Sequence, residues 1–247
     1  SLVYPLQILI NAVAVGLGIG LNTAASFYLG AQDHEKANDS ASLGMVLSVI
    51  HGLVLTFVCV LIVPSFLHLF TQDESVISYA LTYSYIVFGF TTPITISIAM
   101  EKIFQAEGQM MITMTTMLCG CITNIVLDPI FIFGLGPVPE MGIAGAAWAT
   151  GIGQIVPMVL YFIIYLKKPL PLRLRIRKGM FDRKLCGRIY GVGIPAALNM
   201  ALPSLMITAL NGILASFSAV YVLVLGIYYK LQTFIYLTAN GIVQGIR

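Results

Sequence analysis

Charge is scarce in this sequence. Only 9% of the 247 residues are Asp, Glu, Lys or Arg, while 58% are hydrophobic. A soluble domain carries about a quarter charged residues, so too few are present to solvate a globular surface. The net charge of +3 is small and gathers in one segment, which excludes a nucleic-acid partner. Four cysteines contain no CxxC pair, so neither a disulfide framework nor a zinc framework is expected. Phosphate-loop, zinc-protease and nucleophile-elbow signatures are absent as well. His34, His51 and His68 are spaced 17 apart and cannot share a ligand face. An enzyme is not expected, and His51 reads as a hydrogen-bonded packing residue.

Long apolar runs fill the space. A helix needs about 20 residues to cross the hydrocarbon core, and seven stretches qualify, at about 2–29, 42–69, 76–99, 110–135, 143–166, 189–216 and 219–246. The alternation of a membrane β-barrel does not occur. The expected fold is an all-α polytopic membrane bundle. The first stretch has no basic flank and begins with Ser, and the last stops at Arg247. Both ends therefore read as cuts in a longer chain.

The basic residues give the expected orientation. Twelve of the thirteen Lys and Arg fall on one side of the predicted spans and none on the other, with Lys230 inside the seventh span. Nine lie in the 167–188 segment, KKPLPLRLRIRKGMFDRKLCGR. By the positive-inside bias this side is cytoplasmic. The segment reads as a basic cytoplasmic linker between two bundles, with contact to anionic lipid as the other reading.

A weak internal repeat adds to this. Residues 4–22 aligned on 229–247 share seven identities in 19, among them Gln7/Gln232, Gly16/Gly241 and Gly20/Gly245. Both copies run in the same direction, as in transporters built from two parallel halves. If span seven repeats span one, each repeat holds six helices and the whole protein twelve.

Asp128 is the strongest functional clue. It lies in Asn124-Ile-Val-Leu-Asp128-Pro129, six residues and so about 9 Å from the Gly134 turn. Inserting an acidic residue at a helix centre costs about 2.5–3.5 kcal/mol, so it requires a partner or a purpose. Asn124 shares its face at i−4, and Pro129 leaves the Ile125 carbonyl without its usual helical donor. Together they offer oxygens to a proton, Na⁺ or an organic cation; capping a helix end is the alternative. Thr150, at similar depth in the fifth span, completes the set or simply packs. Lys230 reads as an internal partner for a carboxylate or as a hydrated cavity position. Gln7 and Gln232 read as interhelical hydrogen-bonding or cavity-lining residues. Pro93, Pro157, Pro195 and Pro203 mark kinks, and Gly16-x-Gly18-x-Gly20 marks a close-packing face.

Four stretches carry a resemblance. They are Leu29-Gly30-Ala31-Gln32-Asp33 with Ala37, Gln105-Ala-Glu-Gly108, Asn124 to Gly134, and Gly142-Ile-Ala-Gly145-Ala-Ala-Trp-Ala-Thr150. In this order the sequence resembles the multidrug and toxic compound extrusion (MATE) family, its DinF-like branch most. The resemblance covers essentially the whole chain and implies twelve helices in two lobes. Residues 1–166 would be the N-terminal lobe without the first family helix, 167–188 the linker, and 189–247 the truncated start of the C-terminal lobe. It implies a cell-membrane, monomeric antiporter, driven by H⁺ or Na⁺, that exports amphipathic, mostly cationic compounds and needs no cofactor. The coupling-ion and substrate-binding residues implied are Asn124, Asp128, Thr150 and Tyr83, with Na⁺ possible at Asp128 and Asn124. An Asp on the first family helix would be missing with that helix. The NorM-like variant, with a Glu on the seventh family helix, is disfavoured because span six has no acidic residue. A lipid-linked oligosaccharide flippase of the wider superfamily is the alternative, and a seven-helix receptor or channel a more distant one.

The charge tally makes a direct prediction. In the full-length protein in intact cells, Glu140→Cys should react with a membrane-impermeant maleimide from outside. Arg175→Cys should react only after permeabilisation; the opposite pattern would invert the topology.

Overall fold

The computed structural model describes residues 3–68, 73–135, 138–168, 170–175, 177, 180–215, 224–229, 231–232 and 235. Among them the regular structure is helical: α1 (Tyr4–Gly30), α2 (His34–His68), α3 (Glu74–Gly89), α4 (Thr91–Ala106), α5 (Met110–Phe133), α6 (Gly142–Lys167) and α7 (Arg183–Ala215). The chain divides into two compact units, Ser1–Leu198 and Asn199–Arg247. The first contains α1 to α6, the basic segment and the first half of α7. The second contains the rest of α7 and short helical stretches over 224–229 and 231–232. The expected seventh span, Lys230 and most of the second repeat copy lie outside the described residues.

Five of the helices are long and apolar enough to cross a membrane, and α3 with α4 makes a sixth candidate bent by 42°. Their outward faces are apolar, with Phe57, Met111, Ile125 and Phe133 each at least 66% exposed. Such a surface suits lipid and not water. All four cysteines are free thiols.

The third span differs from a single helix over 76–99. It breaks at Phe90, whose N–H bonds to the Val87 carbonyl at 3.1 Å. Pro93, three residues on, has no N–H to give, and its ring would crowd the Gly89 carbonyl of a continuous helix. The Phe90 ring meets Trp148 of α6 edge-on at 5.5 Å. After the break, α4 runs on to Ala106, so Lys102 is a helical residue and not part of a loop.

The family-like motifs are largely helix-end devices. Asp33 accepts the Lys36 N–H at 3.1 Å and starts α2, after Gln32 has turned the chain at φ 58°. Gly108 ends α4 at φ 73° and Gly134 ends α5 at φ 67°, positions that glycine occupies without steric penalty. A Cβ at Gly134 would also sit 2.6 Å from the Glu140 nitrogen.

The Gly16 and Gly20 face does pack closely. A Cβ at Gly16 would lie 2.6 Å from the Ala197 Cβ and 2.7 Å from the Gly193 carbonyl, and one at Gly20 would meet the Ile189 carbonyl. Gly18 faces α4 instead, where a Cβ would lie 2.8 Å from the Lys102 Cγ. Beside this crossing, His51 of α2 sits 2.8 Å from its own Leu47 carbonyl through Nδ1. Its Nε2 is 3.4 Å from the Tyr190 hydroxyl, a packing role.

The basic segment is anchored as well as charged. From Leu170 to Arg175 it runs extended across one end of the bundle, with Leu170 and Leu172 buried and Arg173 and Arg175 exposed. Four consecutive backbone N–H groups find side-chain acceptors. Leu172 gives to Glu107 Oε1 at 2.7 Å, Arg173 to Asn38 Oδ1 at 2.6 Å, Leu174 to the Tyr165 hydroxyl at 2.7 Å, and Arg175 to Ser42 Oγ at 2.9 Å. Arg177 then pairs with Glu35 and, at 3.7 Å, with Asp39. The two leucines join a core containing Met100, Ile103, Phe104 and Tyr161. We call this extended stretch the strap, and its end of the bundle the basic end.

Two predictions follow from these contacts. Gly20→Val should destabilise the full-length protein by about 2–3 kcal/mol through overpacking, whereas Gly30→Val, with nothing within 4 Å of its Cβ, should leave thermal unfolding in detergent nearly unchanged. The second concerns Glu107. Burial pushes its carboxyl up, against the Leu172 N–H and the Lys168 charge that draw it down. The native state therefore holds the proton more tightly than the unfolded state, and the stability this contributes is present at acid pH and lost as pH rises through the native value. Glu107→Gln keeps an acceptor for Leu172 without the charge. Its thermal midpoint should match wild type near pH 4 and exceed it by about 1–3 °C at pH 8.

Candidate functional site

The helices α5 and α6 approach through small residues. A Cβ at Gly120 would lie 2.7 Å from the Gly153 carbonyl, and one at Gly153 would lie 2.9 Å from the Asn124 Cβ. Pro157 fills the next turn, 2.5 Å from a Cβ at Gly120. Beside this seam, where α1 and α4 also contribute, lies a cavity of about 340 Å³. Its polar lining comprises Ser97, Glu101, Asn124, Thr150, Gln154 and Tyr161.

Two of the expected site residues therefore share a wall. Asn124 faces the cavity, and its side chain makes no hydrogen bond among the described residues. Thr150 donates its hydroxyl hydrogen to the Ala146 carbonyl at 2.9 Å, which leaves its oxygen lone pairs for an incoming group. Asp128 lies outside the lining residues. It is half-buried one turn beyond Asn124, with no hydrogen bond or ion pair among the described residues. Met117, Cys121, Asn124 and Asp128 form one stripe of α5, so Asp128 continues the cavity wall away from the basic end. Tyr83 is elsewhere, where its hydroxyl accepts from Gln7 Nε2 at 3.5 Å. Gln7 and Tyr83 thus meet each other and not the cavity. Gln232 belongs to the second unit, where its Oε1 is buried without a partner among the described residues.

Sequence reasoning overlooked the basic end of the cavity. There, Lys102 Nζ lies 3.1 Å from Glu101 Oε1, and both side chains are only 13% exposed. Gln105 joins the pair, accepting from Lys102 at 2.8 Å and donating to the same Glu101 oxygen at 2.7 Å. The Asn22 side-chain amide donates to the Lys102 carbonyl at 2.9 Å. Tyr161, almost fully buried at this end, is stacked on Phe104 at 5.4 Å. The spacing held a signal for this. Thr150, Gln154, Pro157 and Tyr161 recur at i, i+4, i+7 and i+11, one face of a helix. Among the described residues no three His, Cys, Asp or Glu side chains gather as metal ligands, so an ion here would rely on amide, hydroxyl and single carboxylate oxygens.

The sequence profile of the MatE family matches residues 1–130. The chain belongs to this family. The multidrug export protein MepA of Staphylococcus haemolyticus is 26% identical over 246 residues, covering 100% of this chain and 54% of its own length. Among solved structures, a MOP superfamily transporter from Pyrococcus furiosus, described with a binding pocket of reversed polarity, superposes with TM-score 0.90 at 25% identity. That match covers 99% of this chain and 54% of the other. A multidrug resistance MATE transporter in an outward-facing conformation gives TM-score 0.89 at 25% identity over 98% of this chain and 53% of its own. The chain thus spans about half the length of the relatives it matches, and they are named as exporters or transporters, not enzymes.

Proposed function

We propose that the whole protein is a cation-coupled exporter of amphipathic, mostly cationic small molecules, working by alternating access in the cell membrane. One observation carries this reading. Asn124 and Thr150 face one cavity among apolar helices, and Asp128 stands one turn along the same helix stripe with no counter-charge among the described residues. A carboxylate left unpaired in the membrane interior attracts a cation, and the neighbouring amide and hydroxyl can replace part of a hydration shell. The coupling ion, H⁺ or Na⁺, would bind at Asp128 with Asn124, and Thr150 would supply a further oxygen. No cofactor is required for such exchange.

The family membership and the multidrug export function named for MepA support the substrate class. The outward-facing state of the second structural neighbour supports a lobe that opens to one side at a time. In this reading, ion binding from outside alters the charge at Asp128, cargo leaves, and the lobes rock inward-facing. The basic end would be cytoplasmic, and the protein would act as a monomer. Tyr83 with Gln7 would stiffen α1 against α3 at the edge of the site.

Replacing Asp128 tests the assignment. In the full-length protein, Asp128→Asn should abolish drug resistance and gradient-driven efflux in vesicles while membrane levels stay normal. Imposing pH and Na⁺ gradients separately on wild-type vesicles would identify the ion. Normal resistance in Asp128→Asn would refute the coupling role.

A further inference from the structure

The cavity holds a carboxylate that the coupling scheme leaves unused. Glu101 lines it, and Asp128 does not. We propose that Glu101 is the specificity-determining residue that reads the positive charge of an organic cation, with Lys102 as its resident counter-ion. This rests on the exporter reading and divides labour within it: Glu101 takes the cargo, and Asp128 the coupling ion.

Three observations support the assignment. The first is orientation. Glu101 faces the cavity while Lys102 lies behind it, its stem against Gly18 of α1. A cation in the cavity therefore reaches the carboxylate without displacing the backbone around it. The second is charge balance. With Lys102 at 3.1 Å the empty site is neutral, so burying the carboxylate is tolerated. When a cation arrives, Gln105, already 2.8 Å from Nζ, can retain the ammonium. Because the carboxylate is shared and never bare, binding stays weak enough for release. The third is the wall around Glu101. The Met117 thioether and the edge of the buried Tyr161, which stacks on Phe104, border the same space, and a polarisable sulfur suits a flat, aromatic cation. A volume of about 340 Å³ admits one small drug-sized molecule.

The test uses full-length protein purified in detergent, with fluorescence anisotropy of ethidium as the cationic probe and Nile red as a neutral one. Glu101→Gln should weaken ethidium binding about tenfold or more and leave Nile red binding unchanged. Glu101→Asp should recover most of the ethidium affinity. If Glu101→Gln does not fold because Lys102 is left unpaired, the double variant Glu101→Gln/Lys102→Gln removes both charges and should show the same selective loss. Unchanged ethidium affinity in the folded Glu101 variant overturns the proposal, and with Asp128→Asn transport-dead the exporter reading would survive it. A wild-type protein that binds neither probe would overturn both.

Discussion

Moving a carboxylate out of water costs several kcal/mol unless a counter-charge or hydrogen bonds meet it, and the first compact unit is arranged around that cost. Glu101 is met by Lys102 and Gln105. Glu107, at the surface of the basic end, is met through one oxygen by the strap and keeps the other buried without a partner. Asp128 has neither kind of support among the described residues. Three carboxylates on two neighbouring helices and their connection thus stand at three levels of compensation. The difference separates a counter-charged pair, a surface latch and a carboxylate that no described side chain meets.

The cavity between these groups depends on the absence of side chains. Gly120 and Gly153 bring α5 and α6 so close that their backbones almost touch. The larger residues flanking that seam are held apart and leave room beside it. Hydrocarbon offers little hydrophobic drive for helices to associate, so close backbone packing has to supply the cohesion. The same small residues therefore hold the two helices together and create the space between them and α4.

Much of this was legible in the sequence. Apolar length and the scarcity of charge marked the spans, because lipid forces backbone groups into helical hydrogen bonds. The glycine set marked the α1 crossing with α7, and Asn124 with Thr150 marked one cavity wall. Other features were hidden for physical reasons. Glu101 and Lys102 sit within two turns of a helix end, where a charged pair looks like the beginning of a loop. The break at Phe90 needed the packing of Trp148 to fix its position, although Pro93 announced it. Tyr83 lies on the expected element but faces Gln7, because a single aromatic residue carries no periodic signal about which side of a helix it occupies.

The anchoring of the strap has a consequence for how the segment meets a protease. It is dense in Lys and Arg and would be the obvious place for trypsin to cut. A protease, however, must draw several residues into its cleft in extended form with their backbone free. Here four successive N–H groups are already engaged and alternate leucines are buried. Cleavage within it would require the strap to lift from Glu107, Asn38, Tyr165 and Ser42 together. The rate of nicking at Arg173 and Arg175 would then report the frequency of that opening rather than the exposure of the arginines.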